Sequence, residues 1–485
     1  MQEDIVIGLE IHIQLKTKTK IFCHCSTNYI DQEPNTNTCP VCLGLPGCLP
    51  VLNKQAVELA IRTAIALNCK INSTSIFHRK NYFYPDLPKA YQISQYDFPL
   101  AKDGFLEIQS TDSQVKKRIR IERGHLEEDA GKLVHLEENG VVTHSLIDFN
   151  RCGIPLLEIV TKPDIQSSDE AIVFLQNLRS IVQYLDVCDG NLERGSMRCD
   201  ANISIRKPDT HEMGIKTEVK NMNSFRAIRR ALEYEIYRHR KIIQEGDQVI
   251  QETRRWDEAN NQTVAMRSKE EAHDYRYFPE PDLLPLKVDQ LWINKIKKEL
   301  PELPGGRKER FIKFFGLSDY DANRLVEIKS IGDYFEKAAR HYQDYKKLAN
   351  WILGELLCYL GERNIDINNC PISAENIVEL LQLVDQETIS GKIAKTIFEK
   401  MFETGEKAMY LIEKSGLTQI SDKNEIERII EKVIQENMKS VKDYHSGKEK
   451  ALNFLAGQVM RYTKGRAQPN LVLDLLKEKM NKLIE

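Results

Sequence analysis

From Gly8 to Leu15 apolar and polar side chains alternate without a break: Leu9, Ile11, Ile13 and Leu15 against Glu10, His12 and Gln14. This is the two-residue period of an extended strand, whose successive side chains point to opposite faces. The aliphatic set requires a core. The other set puts a carboxylate, an imidazole and an amide side by side on the opposite face, where a merely solvated surface is the plainer alternative. The alternation returns in Arg118-Ile119-Arg120-Ile121-Glu122 and in Ala201-Asn202-Ile203-Ser204-Ile205. Between those two, Ala171, Phe174, Leu175, Leu178, Val182 and Leu185 recur at helical spacing after Ser168, which predicts an amphipathic helix packed by that face.

The pattern changes near residue 280. Pro279, Pro281 and Pro285 precede Leu300-Pro301-Glu302-Leu303-Pro304-Gly305-Gly306, and prolines remove backbone donors and disfavour helix in the residue before them. Beyond this boundary the chain reads as helix after helix. Ile377, Leu380, Leu381 and Val384 share one face, and breaks fall at Ser390-Gly391 and Thr404-Gly405. A chain of 485 residues calls for roughly three domains. The expectation is an α+β fold: a large mixed domain over 1–292, a helical domain over 293–405 and a small helical tail over 406–485. The chemistry belongs to the first.

A formal net charge of −3 argues against a protein that coats nucleic acid non-specifically, though not against a local basic surface. No apolar run suggests a membrane span. Met1-Gln2-Glu3-Asp4-Ile5-Val6 lacks the basic and apolar regions of a targeting peptide, so a cytoplasmic protein is expected. The eleven cysteines are too few for a disulfide scaffold in so long a chain. Four of them cluster as Cys23-His24-Cys25 and Cys39-Pro40-Val41-Cys42. Two short cysteine knuckles supply the tetrahedral thiolates of a closed, structural Zn²⁺ site near residues 20–45; His24 is a substitute ligand, and idle thiols are the alternative.

Three further segments carry charge in strand or turn context. Glu127-Glu128-Asp129-Ala130-Gly131-Lys132 sets three acids together, which repel unless a cation or water lies among them; an exposed acidic turn is the alternative. Glu158 sits in the apolar stretch Ile154-Pro155-Leu156-Leu157-Glu158-Ile159-Val160 and needs a partner, either a metal or a base such as Arg151. Arg198, Asp200 and Asn202, followed by Glu218 and Lys220, could hold Mg²⁺ and phosphate together. No P-loop, dinucleotide fingerprint or nucleophile elbow occurs. If the chain uses ATP, it does so on a carboxylate-lined sheet.

Taken together these motifs resemble one family, the B subunits of tRNA-dependent amidotransferases. The resemblance is carried by Gly8-Leu9-Glu10-Ile11-His12, Leu43-Gly44-Leu45-Pro46-Gly47, Tyr82-Phe83-Tyr84-Pro85-Asp86-Leu87-Pro88-Lys89, Glu127-Glu128-Asp129-Ala130-Gly131-Lys132 and Asp148-Phe149-Asn150-Arg151. Gly195-Ser196-Met197-Arg198-Cys199-Asp200-Ala201-Asn202, Asp274-Tyr275-Arg276-Tyr277-Phe278-Pro279-Glu280-Pro281-Asp282 and Gly465-Arg466-Ala467-Gln468-Pro469-Asn470 extend it almost end to end.

The resemblance implies a cradle domain with an antiparallel sheet related to the glutamine synthetase and guanido-kinase catalytic fold, then a helical domain and a YqeY-like tail. It implies a heterotrimer completed by an amidase, which is the glutaminase, and by a small third protein that wraps their interface. ATP would phosphorylate the side chain of Glu-tRNA(Gln) or Asp-tRNA(Asn), and tunnelled ammonia would displace the phosphate. The Mg²⁺ ligands expected from the resemblance and the chemistry are Glu10, His12, Glu127 and Glu158. Glu128 is the other candidate for the family's ligand and tunnel-gate position, and Asp200 is added as catalytic. Arg151, Arg198 and Asn202 would bind the nucleotide, and Lys80 and Lys89 would line the ammonia tunnel. Arg461, Lys464 and Arg466 would meet tRNA phosphates. A related archaeal protein carries an inserted synthetase-like domain, for which this chain has no room between 205 and 290. A purely tRNA-binding protein with a decayed site is the other alternative.

Overall fold

The computed structural model describes residues 4–109, 116–138, 141–206, 213–268, 275–415, 423–446, 448, 450–463, 467 and 469–481. The chain divides into two compact units, Met1–Gly306 and Arg307–Glu485.

In the first unit the strands are, in chain order, β1 (Asp4–Gln14), β2 (Lys70–Ile71), β3 (Thr74–Ser75), β4 (Phe77–Asn81), β5 (Tyr91–Gln95), β6 (Ala101–Gln109), β7 (Lys116–Glu128), β8 (Lys132–Glu138), β9 (Val141–Asp148), β10 (Pro155–Thr161), β11 (Met197–Arg206), β12 (Thr217–Lys220), β13 (Glu252–Asp257), β14 (Gln262–Ser268), β15 (Phe278–Pro279) and β16 (Leu286–Lys287). Nine of them form one sheet in the order β14-β13-β12-β11-β1-β10-β7-β6-β2. Its pairs are antiparallel except β12 and β13. That parallel pair needs a crossover, supplied by the helix Phe225–Gln244.

Leu9, Ile11 and Ile13 of β1 are almost wholly buried and belong to one core with the helices α1 (Lys54–Ala66), α2 (Ser168–Tyr184) and α3 (Phe225–Gln244). Full burial of such side chains stabilises by about 1.5–3 kcal/mol each. The predicted helix after Ser168 is α2, with the Ser167 hydroxyl accepting from Glu170 N–H as N-cap. The first core takes in Ile293, Ile296, Leu300 and Leu303, beyond residue 292. Three helices thus cover one face of the sheet, and β1's polar positions lie on the other. Against the C-terminal end of β7 lies a smaller sheet, β15-β4-β5.

The second unit is helical among its described residues, with two separate apolar cores. One spans Phe311 to Ile412 and the other Ile426 to Met480. The helix Ala408–Ser415 packs on the earlier core through Ala408, Leu411 and Ile412. The break at Gly405 is a helix cap in the left-handed region, φ +70°, where glycine costs least. No helix among the described residues is long and apolar enough to cross a membrane.

Candidate functional site

Sheet pairing assembles the site from distant parts of the chain. His12 on β1 lies opposite Glu158 on β10 and Arg198 on β11, and Glu158 lies opposite His125 on β7. One row across four strands therefore reads His125, Glu158, His12, Arg198. In the neighbouring rows Glu10 faces Asp200, and Leu156 stands between Gln14 and Glu127. Directly opposed residues point to one face, so these side chains converge.

A β-bulge makes the convergence possible. Against β10, Val160 pairs with Arg123 but Thr161 with Ile121, leaving Glu122 as an extra residue in β7. Before it, Ile119 and Ile121 face the core; after it Leu126 does, and His125 and Glu127 face the open side.

His12 Nε2 lies 3.3 Å from Glu158 Oε2, 3.4 Å from Glu127 Oε1 and 3.9 Å from Glu10 Oε1. His125 Nε2 lies 3.2 Å from the same Glu158 oxygen and 3.7 Å from Glu127 Oε2. Glu127, Glu158 and His125 are buried. Burial works against charge on His12 and His125, but Glu127 and Glu158 outweigh it and hold both imidazoles up, His125 to about 9. Burial would likewise raise Glu127 and Glu158, yet the two imidazoles hold both carboxyls well below the usual range. Glu10 moves the other way, raised by burial and by the charge of Glu158.

Cations ring this cluster. Lys220 Nζ is 2.6 Å from Asp200 Oδ2 and 3.4 Å from Glu218 Oε1. Asp129 accepts from Arg198 Nη2 at 2.8 Å and Gln14 Nε2 at 3.1 Å, and Arg151 Nε lies 3.6 Å away. Burial opposes the charge of Asp129, but Arg198 and Arg151 keep its carboxyl low. Arg198 Nε is buried without a hydrogen-bond partner. Lys80 lies over the rings of Tyr275 and Tyr82, 4.8 and 5.8 Å from their centroids. Burial would discharge it; Tyr277, Glu127 and Glu158 keep its ammonium charged.

The structure separates the two adjacent acids. Glu127 joins the imidazoles, whereas Glu128 turns the other way, ion-paired with Lys89 and accepting from Ile93 N–H at 2.9 Å. Lys89 and Glu128 line a cavity of about 180 Å³ shared with Cys42, Gly44 and Leu45. Gly44 sits at φ +68°, and a Cβ there would fall 2.2 Å from Lys89 Cγ, so this motif glycine leaves room for the lysine stem.

The acidic turn is no exposed loop: Glu127, Glu128 and Asp129 are all buried. Arg151 is not the partner of Glu158. Its Nε and Nη2 donate to the carbonyls of Ala130 and Gly131, at 3.0 and 2.6 Å, while His12 and His125 take Glu158. Asn202 lies on β11 between Gly8 and Glu218. Arg461 is exposed near the end of the helix Lys450–Tyr462; Lys464 and Arg466 lie outside the described residues. Sequence reasoning missed His125, although it precedes Glu127 by the two residues that set side chains on one face of a strand.

The cysteine knuckles occupy the loop after β1. All four thiols are free, and their sulfurs lie within 4.8 Å of one another. Cys39 N–H donates to Cys42 Sγ at 3.1 Å, and Lys20 Nζ stands 3.8 Å from the same sulfur. The Cys23 thiol, then the Cys39 N–H and Lys20, pull Cys42 down to about 5 against the opposing effect of burial. This donor set could hold a metal ion, and four thiols at this spacing are compatible with zinc.

Residues 5–294 match the family model described as the GatB/GatE catalytic domain, and residues 333–480 that of the GatB domain. The B subunit of the aspartyl/glutamyl-tRNA(Asn/Gln) amidotransferase from Carboxydothermus hydrogenoformans is 54% identical over 480 residues, 99% of each chain. The chain belongs to this family of B subunits. Relatives of the same name from Thermodesulfovibrio yellowstonii and Caldicellulosiruptor bescii are 54% and 51% identical, covering 98% and 100% of this chain and 99% and 100% of their own. The family is one of glutamine-dependent ligases acting in translation, as the motifs led us to expect.

Proposed function

We propose that this chain uses ATP to phosphorylate the side-chain carboxylate of Glu-tRNA(Gln) or Asp-tRNA(Asn), and that ammonia from a partner amidase then gives Gln-tRNA or Asn-tRNA. The observation that carries the reading is the single open face on which Glu10, His12, Glu127 and Glu158 converge. A carboxylate cannot be amidated directly, because oxide would have to leave; in an acyl phosphate, phosphate leaves instead. That intermediate hydrolyses readily, so the site must be shielded from water.

The donors fit Mg²⁺: Glu10, His12, Glu127 and Glu158 would hold it, and it would neutralise phosphate oxygens. The chain's own cations extend the same service. Arg198 offers its unpartnered Nε–H to an anion. Arg151 and Asn202 would help bind the nucleotide, and Asp200 orients Lys220 beside Glu10. Lys80 would meet ammonia's path on the open side. Lys89 and Glu128, in their cavity, would flank it on the other, which favours Glu127 as the metal ligand and Glu128 as the gate. Cys23, Cys25, Cys39 and Cys42 would bind one structural Zn²⁺ that ties down the loop beside this cavity.

On this reading residues 1–292 form the cradle, its sheet related to the glutamine synthetase and guanido-kinase fold. Residues 293–405 form a helical domain and 406–485 a YqeY-like tail that binds tRNA through Arg461, Lys464 and Arg466. The partners are the glutaminase, an amidase, and a small third protein, together a heterotrimer in the cytoplasm. The test is Glu10→Gln in the reconstituted trimer with misacylated tRNA. ADP formation and amide product should both fall by about 100-fold or more, the scale of losing one electrostatic contact to the transition state. Glutamine hydrolysis should persist, since it belongs to the amidase. Undiminished product formation would remove Glu10 from the reaction.

A further inference from the structure

The small sheet β15-β4-β5 turns one face to the buried carboxylates. Ser94 on β5 donates its hydroxyl to Glu127 Oε2 at 3.2 Å. His78 on β4 stands opposite Ser94, and Lys80, two residues on, shares that face. The register of β15 with β4 brings Tyr277 up to Lys80. Tyr96, two residues past Ser94, lays its ring flat on that of Tyr277, centroids 4.3 Å apart and planes 5° from parallel. Tyr275 stands edge-on to Tyr277, and His78 edge-on to Tyr96. Tyr277, Glu127 and Glu158 all act on the Lys80 charge, so this rim of tyrosines borders the carboxylates.

Packing leaves the stacked pair partly in solvent, with Tyr96 44% exposed. The ring beside it carries no charge to hold it: burial lowers the His78 imidazole from its ordinary value, and His78 Nδ1 is buried without a hydrogen-bond partner. Arg276, between Tyr275 and Tyr277, sits at φ +46°, a left-handed backbone that residues other than glycine rarely adopt. Asn81 Nδ2 holds it there, donating to the carbonyls of Tyr275 and Arg276 at 3.2 and 2.9 Å. Strain of this kind persists where the surroundings enforce it. Here it displays an exposed arginine that forms no ion pair among the described residues.

Every nucleobase has a π face, and arginine meets backbone phosphate, so stacked, exposed rings beside a guanidinium suit the end of a single RNA strand. We propose that Tyr96 and Tyr277 are the platform on which the terminal adenine of the aminoacylated tRNA stacks, with Arg276 against the phosphate that precedes it. The proposal rests on the reading of the site as acting on an aminoacyl side chain. That reaction uses two adenine nucleosides, and the place favours the one on the RNA over ATP. Arg198 and Lys220, the cations suited to nucleotide phosphates, stand on β11 and β12, beyond β1. The tyrosines stand at the β7 end with Lys80, where ammonia would arrive. The acyl carbon has to meet ammonia there, and only a short ester separates that amino acid from its adenosine.

The test uses the reconstituted trimer with Glu-tRNA(Gln). The probe is an adenosine that carries glutamate in amide linkage on its ribose, a stable mimic of the loaded end. It should inhibit amide formation competitively against the tRNA, and the same glutamyl ribose without a base should inhibit about tenfold less, the scale of one base on an aromatic ring. Tyr96→Leu should raise the Ki of the mimic and the KM for tRNA by about tenfold, Tyr96→Phe should restore both, and the KM for ATP should stay. Arg276→Gln should raise the KM for tRNA but leave the Ki of the mimic, which carries no phosphate. Equal inhibition with and without the base, or a Tyr96→Leu trimer with the wild-type Ki, overturns the platform while wild-type amide formation keeps the function standing. A rise in the KM for ATP in place of the Ki gives the rings to ATP and overturns it as well. An Arg276→Gln trimer with the wild-type KM for tRNA overturns the phosphate contact. No amide product from the wild type overturns the underlying reading. The two mimics need no variant, so their comparison decides the matter even if Tyr96→Leu does not fold.

Discussion

Cys39 contributes to the knuckle twice, by its thiol and by the N–H that it donates to Cys42 Sγ. Cys39→Ser keeps the backbone donor and removes one sulfur. The variant should therefore lose the metal without losing the turn: zinc should fall from about one per chain, the stoichiometry of a four-ligand site, to a small fraction. Elemental analysis measures this, and a fully zinc-loaded variant would show that Cys39 is not a ligand. This cluster was legible because its spacing is local. The partners of Glu158 were not, because they come from two other strands. The sequence offered a metal or a base such as Arg151, and pairing of β10 with β1 and β7 sets two histidines beside Glu158 and leaves Arg151 elsewhere.

At the scale of elements, α3 is tied to the β13–β14 hairpin by one wholly buried acid. Glu235 accepts from Arg238 Nη2 at 2.8 Å and from the Thr263 hydroxyl, with His239 Nε2 at 3.4 Å and Arg254 Nε at 3.3 Å. Burial would raise its carboxyl, but the hydrogen bonds of His239, Arg238 and Thr263 prevail and bring it from 4.5 to about 2. Because the folded value is the lower one, its stabilisation is present above about pH 4.5 and is lost as the pH falls toward 2. The shift corresponds to about 3 kcal/mol. Glu235→Gln should lower stability by roughly that amount at neutral pH and flatten the acid limb of the stability curve. Urea unfolding at a series of pH values checks both, and a wild-type slope below pH 4.5 would discount the network. The alternation in β1 and the period of α2 were plain in the sequence. His125 was hidden because the bulge at Glu122 shifts the phase of β7, so the apolar run Ile119, Ile121 does not predict the face of anything beyond it.

For the whole molecule, the proline-rich stretch before Gly306 announced the division into two units, since it lies where the first core ends. The helical remainder was legible as helices and expected as two units meeting at 405/406, but not that the helix Ala408–Ser415 joins the earlier core, because amphipathic faces do not name their partners. The tail prediction turns on that distinction. A chain ending at Ser415 keeps Ala408, Leu411 and Ile412 in the earlier core and removes only the last one. In the trimer it should raise the KM for tRNA and weaken its salt dependence, because fewer counterions are released on binding. The KM for ATP should barely move, and glutamine should still be hydrolysed. Unchanged tRNA affinity at physiological salt would remove the tail from recognition. Ending the chain at Gly405 instead strips Leu411 and Ile412 from their core, at about 1.5–3 kcal/mol each, and would confuse instability with lost binding.

Strand β7 is in effect read in two frames, one up to Ile121 and another from Arg123 onward, with Glu122 as the insertion between them. The side chain of Glu122 is exposed, and its ion pair among the described residues is with its neighbour Arg123. Its chemical identity therefore matters little, while the bulge that accommodates it decides which way everything downstream faces. Were β7 to run through Glu122 as an unbroken strand, Leu126 would point to the open side, and His125 and Glu127 would enter the core. Substitution of Glu122 should therefore be cheap, whereas straightening the strand around it should not: the site depends on how the backbone absorbs one residue as much as on the side chains it carries.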